Sequence, residues 1–339
     1  MHVVLRVDGG PRVGYGHLVR SGALAEELLG RGHAVSVATT TPDPAKEILP
    51  GRTTTITLPV RADPDPFVSS LDAESPDAVF ADAYPVDTDY QRSIRDRVPL
   101  AVLQDDARHA ICADLFTNGN LYASDLEYEF AGEKPTTCLG PDYVLLRRAI
   151  RELTADDPPW RREPERALVT MGGGDVRNLT PTVVRAFDGV DLRVDTIVGP
   201  GVSGQQEREI REAAGEVSAD VRVVRDPDDL PERMFQASFA VSTASSTTYE
   251  LLALGTPMVS VPVAENQKPI AEALAERDLA TVLDGDAKTA AFSAAIRDYV
   301  TDSSVRRRRR DVGRRLVDGN GVKRVCTQML SLAETNRGA

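Results

Sequence analysis

The chain is poor in cysteine, histidine, lysine and long apolar runs. Cysteine occurs three times, at Cys112, Cys138 and Cys326. An odd count at wide spacing makes neither a disulfide framework nor a zinc site. The four histidines, His2, His17, His33 and His109, have no metal-ligand spacing either. No metal and no cofactor is therefore expected. The apolar stretches, such as Met258–Val263, are broken by Gly, Pro or Ser within a few residues. None approaches the ~20 residues of a membrane span. The strand-like run His2–Val7 follows no basic segment or cleavage site, so the reading is a protein without a signal peptide, in the cytoplasm.

Lysine is confined to positions 46, 134, 268, 288 and 323, and nearly all the basic residues are arginine. Aspartate outnumbers glutamate. Both a salt-adapted cytosol and a GC-rich genome produce that bias. The net charge is −12, and a broadly acidic surface repels phosphate backbones and anionic membranes, which argues against nucleic acid as a partner. Any phosphate ligand must then be held by a local site. The basic run Arg306–Arg310, flanked by Asp302 and Asp311, reads as a solvated helix face. Oligomeric state is not legible.

The chain has 339 residues, 41% hydrophobic and 27% charged. That balance is globular, and at ~150 residues per domain the length suggests two domains. Strand and helix patterns alternate almost throughout, as in right-handed βαβ units with a parallel sheet. The strand readings are His2–Val7, Ala34–Ala38, Ala78–Ala81 and Leu100–Leu103, with helices over 17–31 and 88–97. The polar, proline-bearing stretch Ala155–Pro164 reads as a linker. A second βα series follows, with strands at Ala167–Thr170, Leu192–Val198, Val221–Val224, Phe239–Ser242 and Met258–Val263. Helices are expected over 176–187, 247–254 and 269–277, and two or three more over 287–334. The expected architecture is α/β: a Rossmann-like domain over 1–150, a linker over 151–165 and a second Rossmann-like domain over 166–320. A C-terminal helix over 321–339 is expected to return to the first domain. Ligands of such sheets bind beyond the carboxyl ends of the strands, so a cleft between the two domains is the expected site.

Three loops carry candidate chemistry. The first, Asp8-Gly9-Gly10-Pro11-Arg12-Val13-Gly14-Tyr15-Gly16-His17, follows a strand and opens a helix. Glycines there let backbone N–H groups approach an anion; a plain tight turn has the same residues. A histidine in a first helical turn lies at the positive end of the dipole, which disfavours imidazolium, and a neutral imidazole can act as a general base. A helix cap is the competing role for His17. The second loop, Met171-Gly172-Gly173-Gly174-Asp175, repeats the strand–glycine–helix pattern. The third, Ser242 to Glu250, is rich in hydroxyls that suit a diphosphate. Glu250, one turn into the helix, is placed to accept from ribose hydroxyls or simply to complement the dipole.

These residues resemble the PseG family, UDP-2,4-diacetamido-2,4,6-trideoxy-β-L-altropyranose hydrolases related to the spore-coat protein SpsG and, more widely, to MurG and the GT-B glycosyltransferases. The resemblance runs from Arg6 to about Gln267. It rests on Arg6-Val7-Asp8, Gly14-x-Gly16-His17-x-x-Arg20, Asp105-Asp106, Asn118 with Asn120, and Tyr143 with Leu146-Arg147. The second half adds Met171-Gly172-Gly173-x-Asp175-x-x-Asn178, Thr247-Thr248-Tyr249-Glu250 and Asn266-Gln267. The resemblance implies a GT-B-like fold and a metal-independent, inverting UDP-sugar hydrolase of nonulosonic acid or surface polysaccharide synthesis, with His17 as catalytic base. It assigns Gly172, Gly173, Asp175, Ser246, Thr247 and Glu250 to the nucleotide. It assigns Asp8, Gly14, Gly16, Arg20, Tyr84, Asn120, Tyr143, Arg147, Asn266 and Gln267 to the rest of the substrate. Two positions depart from the family: Ala83 stands where it often has histidine, in Asp82-Ala83-Tyr84, and Gly174 where it favours Ser or Thr. A GT-B glycosyltransferase using a UDP-sugar donor is the alternative.

Overall fold

A computed structural model describes residues 1–10 and 13–337; Pro11 and Arg12 of the first glycine loop, and residues 338–339, lie outside the described residues. The chain divides into two compact units, Met1–Arg148 with Gly319–Ala339, and Ala149–Asp318.

The strands of the first unit are β1 (His2–Val7), β2 (Ala34–Thr39), β3 (Thr54–Thr57), β4 (Ala78–Asp82), β5 (Leu100–Leu103), β6 (Leu115–Asn118) and β7 (Thr136–Leu139). Between them run α1 (Gly16–Gly30), α2 (Pro42–Ile48), α3 (Asp65–Glu74) and α4 (Thr88–Arg95). The boundary helix α5 (Arg148–Leu153) leads into β8 (Arg166–Thr170), β9 (Arg193–Val198), β10 (Asp220–Arg225), β11 (Phe239–Thr243), β12 (Met258–Val261) and β13 (Ala280–Val282). Their helices are α6 (Thr180–Arg185), α7 (Gly204–Glu216), α8 (Leu230–Gln236), α9 (Thr247–Leu254), α10 (Lys268–Glu276), α11 (Thr289–Thr301) and α12 (Ser303–Leu316), and α13 (Gly321–Arg337) belongs to the first unit.

Both sheets are parallel and doubly wound, in the orders β3-β2-β1-β4-β5-β6-β7 and β10-β9-β8-β11-β12-β13. The chain works outward from the first strand in one direction, then returns to its other side. Each sheet thus has a switch point, β1/β4 in the first and β8/β11 in the second, where the loops leaving two adjacent strands part and a ligand crevice opens. The first core is Val3, Leu5, Val7, Leu18 and Leu24 with Val322, Val325, Cys326 and Met329 of α13. Arg31, just past the end of α1, donates to Thr327 Oγ1 and the Lys323 carbonyl, tying α13 to the end of α1. The second core gathers Val169, Phe187, Val241, Val261, Phe292 and Tyr299.

Three expectations need correction. The helix expected over 176–187 is only Thr180–Arg185, because the Asp175 carboxylate accepts from the N–H groups of Leu179 and Thr180 and Asn178 takes a positive φ of 51°. The stretch read as a linker over 151–165 begins as the end of α5 and belongs to the second unit. The arginine run is a solvated face only in part: Arg307 and Arg308 are exposed, but Arg306 is fully buried. Its guanidinium donates to the carbonyls of Tyr299 and Val300 at the end of α11, and to those of Arg161 and Arg162. Arg306, Arg310 and Gly313 fall at i, i+4 and i+7, one face of α12. That face lies against α9: a Cβ on Gly313 would sit 3.0 Å from the Leu252 carbonyl oxygen. Trp160 is packed under the guanidinium groups of Arg306, Arg307 and Arg310, each within 5.9 Å of its ring.

Candidate active site

The loop after β1 closes on itself through a pair of hydrogen bonds between Gly10 and Gly14. Gly10 and Gly14 have φ of 135° and 94°, a backbone region side chains rarely tolerate. Gly9 has no room for a Cβ either, since Leu18 carbon atoms lie 2.5 and 2.7 Å from where it would be. The glycines therefore have a steric reason to be there, and the turn delivers Gly16 as the first residue of α1 with His17 in its first turn.

β4 lies beside β1 with Val7 opposite Asp82. This register sets the last residue of β4 under the start of α1. Asp82 is fully buried, and its Oδ1 lies 2.6 Å from Nδ1 of His17. Arg20 Nη2 also lies 3.0 Å from Nδ1; in the neutral ring, a proton on Nδ1 facing the carboxylate leaves the lone pair on Nε2. One turn along α1, Arg20 donates to both oxygens of Asp82 at 2.6 Å and to both of Asp105 at 2.8 and 3.0 Å. Burial alone would raise the Asp82 carboxyl; Arg20 and His17 outweigh it and hold the group far below the usual carboxylate range. Burial likewise works against the Arg20 charge, but Asp105 and Asp82 together keep it firmly protonated.

Asp105, just beyond β5, is the hub of a second layer. Its carboxylate accepts from Asn120 Nδ2 at 3.0 Å, and its carbonyl accepts from Asn118 and the Tyr122 hydroxyl. Burial, followed by Asp105 and Asp106, pushes the Tyr122 hydroxyl well above its ordinary range. The Tyr84 ring stands edge-on to His17, centroids 4.7 Å apart, and the Arg108 guanidinium lies 4.2 Å over that ring. His17, Arg20, Asp82, Tyr84, Asp105 and Arg108 surround one solvent-open recess beyond the ends of β4 and β5, next to the β1/β4 switch point.

Several expected substrate residues lie elsewhere. The Asp8 carboxylate is buried and engaged by Arg6 at 2.9 Å, by Arg61, and by the N–H and hydroxyl of Thr40. Burial would raise it; Arg6 and Thr40 hold it below the usual value. Its visible work is to join β1 to the loops after β2 and β3. Tyr143, in a 3₁₀ turn, packs half-buried against the first core, and Arg147 is half-buried just before α5.

At the β8/β11 switch point, Gly172 has a φ of 78°. The loop after β9 presses on the Gly172–Gly173 backbone: the Gly201 N–H donates to the Gly173 carbonyl at 2.8 Å. A Cβ on Gly199 would lie 2.5 Å from the Gly172 carbonyl oxygen. Ser246 is exposed at the start of α9, Thr247 opens it, and Glu250 is buried one turn in. Asp175 is occupied at the start of α6. Gln267 accepts from the Val263 N–H at 2.9 Å, while Asn266 is exposed. The second glycine loop and the α9 start thus flank one switch point. Asp175 closes that glycine loop and turns to the start of α6, while Asn266 and Gln267 lie in the turn after β12.

Sequence reading missed the roles of Asp82 and Arg108 and did not single out Gly199 or Gly201. A carboxylate closing a strand pattern is the available signal for Asp82, but its partner depends on which strands are neighbours.

Two Rossmann-like α/β units with parallel sheets define the GT-B class, and the solved neighbours include GT-B glycosyltransferases such as MurG. MurG from Acinetobacter baumannii superposes with a TM-score of 0.70 at 15% identity, covering 97% of this chain and 99% of that one. The spore coat polysaccharide biosynthesis protein SpsG of Bacillus subtilis is 22% identical over 344 residues, spanning 98% of this chain and 99% of SpsG. The UDP-2,4-diacetamido-2,4,6-trideoxy-β-L-altropyranose hydrolase of Campylobacter jejuni is 21% identical over 286 residues, 82% of this chain and 97% of the hydrolase. No protein-family model matches the chain.

Proposed function

We propose that the protein hydrolyses a UDP-linked di-N-acetylated deoxy sugar to UDP and free sugar, in nonulosonic (pseudaminic) acid or surface polysaccharide biosynthesis. The observation that carries this reading is the His17–Asp82 pair beside the recess: with Nδ1 donating to Asp82, Nε2 of the neutral ring is the atom available as a base. In the proposed reaction a water molecule gives its proton to Nε2 and its oxygen attacks the anomeric carbon. The bond from that carbon to the diphosphate oxygen breaks, and UDP leaves with the electron pair. A single displacement inverts the anomeric centre. Gly172, Gly173, Ser246 and Thr247 receive the diphosphate, where backbone N–H groups meet its growing charge. Glu250 accepts from the ribose hydroxyls. The name of the Campylobacter relative supports the substrate class.

A glycosyltransferase is the second reading, favoured by the kinship of the fold to MurG. In it an acceptor hydroxyl replaces water at His17.

The test is turnover of UDP-2,4-diacetamido-2,4,6-trideoxy-β-L-altropyranose in water enriched in heavy oxygen, with and without added sugar acceptors. UDP should appear without acceptor and carry no label. The free sugar exchanges its anomeric hydroxyl through the open chain, so UDP is the decisive product. Label in UDP would mean attack at phosphorus, and release that depends on an acceptor would establish the transferase.

A further inference from the structure

The recess at His17 is narrowed on one side by a small, well-buttressed stack. Tyr84 stands edge-on against the imidazole, and Arg108 covers the Tyr84 ring at 4.2 Å. The Arg108 guanidinium is in turn held by Asp106, with Nε 2.8 and 2.9 Å from its two oxygens and Nη2 at 2.5 Å. The loop carrying both is tied down. Gln104 Nε2 donates to the carbonyls of Asp106 and His109, and His109 Nε2 lies 3.3 Å from the Tyr84 carbonyl oxygen. The free room left inside the recess is about 10 Å³, which is the space of one water molecule. Pockets that take sugar-sized ligands run to hundreds of cubic ångströms. The lining mixes the polar side chains of His17, Arg20, Gln104 and Asp105, which can hold a water, with apolar Val86, Val102 and Leu103.

We infer that Arg108, stacked on Tyr84 and anchored by Asp106, is the residue that restricts the acceptor to water. The inference rests on the UDP-sugar reading above and deepens it: the chemistry at His17 is common to hydrolysis and transfer, and the stack decides between them. Arg108 touches no reacting atom in this account. Its guanidinium occupies the volume that the carbon skeleton of an alcohol needs in order to bring its hydroxyl to Nε2. With the stack opened, an alcohol oxygen attacks the anomeric carbon, its proton goes to Nε2, UDP departs as before, and an alkyl glycoside forms in place of free sugar.

The experiment runs wild type, Arg108→Ala and Asp106→Ala on UDP-2,4-diacetamido-2,4,6-trideoxy-β-L-altropyranose in buffer containing molar methanol or glycerol. The readout is the ratio of alkyl glycoside to free sugar by mass spectrometry. A ratio measured within one reaction does not depend on how much of a variant is folded. Wild type should give almost only free sugar. In Arg108→Ala the ratio should rise roughly ten-fold or more, the scale on which pockets discriminate by size. Asp106→Ala, which frees the guanidinium without removing it, should rise less. An unchanged ratio in Arg108→Ala, with UDP still released, overturns the inference and leaves the hydrolase reading standing. Loss of all UDP release in Arg108→Ala overturns it too, because Arg108 would then serve the reaction itself. A wild type that releases no UDP without a sugar acceptor overturns the hydrolase reading, and the inference falls with it.

Discussion

At the scale of single residues, what distinguishes His17 is its partner. A carboxylate at 2.6 Å fixes the ring and its tautomer, which is how a base is kept pointing at its proton. His17→Asn should therefore lower turnover by about 10²–10⁴-fold, the usual loss for a general base, with the melting temperature nearly unchanged. Near-normal turnover would leave His17 only a structural partner of Asp82. Asp82 also makes an acid-stability prediction. Its folded pKa is depressed below the unfolded one, so the unfolded chain binds more protons around that range and stability falls as pH falls. The contribution is complete above about pH 5 and is lost as the pH drops through the ordinary carboxylate range and below it. Urea unfolding between pH 7 and 3 should show this limb, and Asp82→Asn should flatten it. Retention of the full slope in the variant would assign it to other carboxylates. His17 and Arg20 were legible because G-x-G-H-x-x-R is a local pattern with a helical spacing. Asp82 was not, because nothing within ten residues of it contains its partners.

At the scale of elements, glycine loops and helix ends account for most of the local geometry. The two strand–glycine–helix turns were visible as composition. The pressure of Gly199 and Gly201 on the second of them was not, because it comes from a different loop. Asp175 illustrates a sequence pattern with two physical outcomes. A carboxylate after glycines can face a ligand or cap the next helix, and here it accepts from Leu179 and Thr180. The arginine run of α12 shows the same ambiguity. Charge pattern alone places it in solvent, but the connecting stretch around Trp160 and the end of α11 present carbonyls that need donors. Arg306→Met should remove those donors and destabilise the second unit by about 1–3 kcal/mol, the range for buried polar groups left unpaired. Urea midpoints measure it; a loss under about 0.5 kcal/mol would mean that water replaces the guanidinium.

At the scale of the whole molecule, the acidic balance is a property of the surface and of the solvent it meets. With a net charge of −12, like charges repel across the compact state, and salt screens that repulsion. The melting temperature should rise as KCl is increased to molar levels. A flat or falling trend would leave genome composition as the account of the arginine excess. Among the described residues no helix is long and apolar enough to cross a membrane. Both units wind their sheets outward from the first strand and back. This places the first glycine loop beside the residues after β4, and the second beside the residues that open α9.

The sequence by itself determined the alternation of strand and helix, the two α/β halves, the glycine turns and the histidine that opens α1. Each is written in neighbouring residues, as hydrophobic period, turn chemistry or spacing. Tertiary structure alone decided that β4 lies against β1, that Asp82 meets His17 and Arg20, that Arg108 covers Tyr84, and that Arg306 is buried. Strand order and packing bring together groups up to 296 positions apart, and no local pattern encodes such pairings. They are selected by which arrangement buries the apolar faces while giving every buried charge a partner.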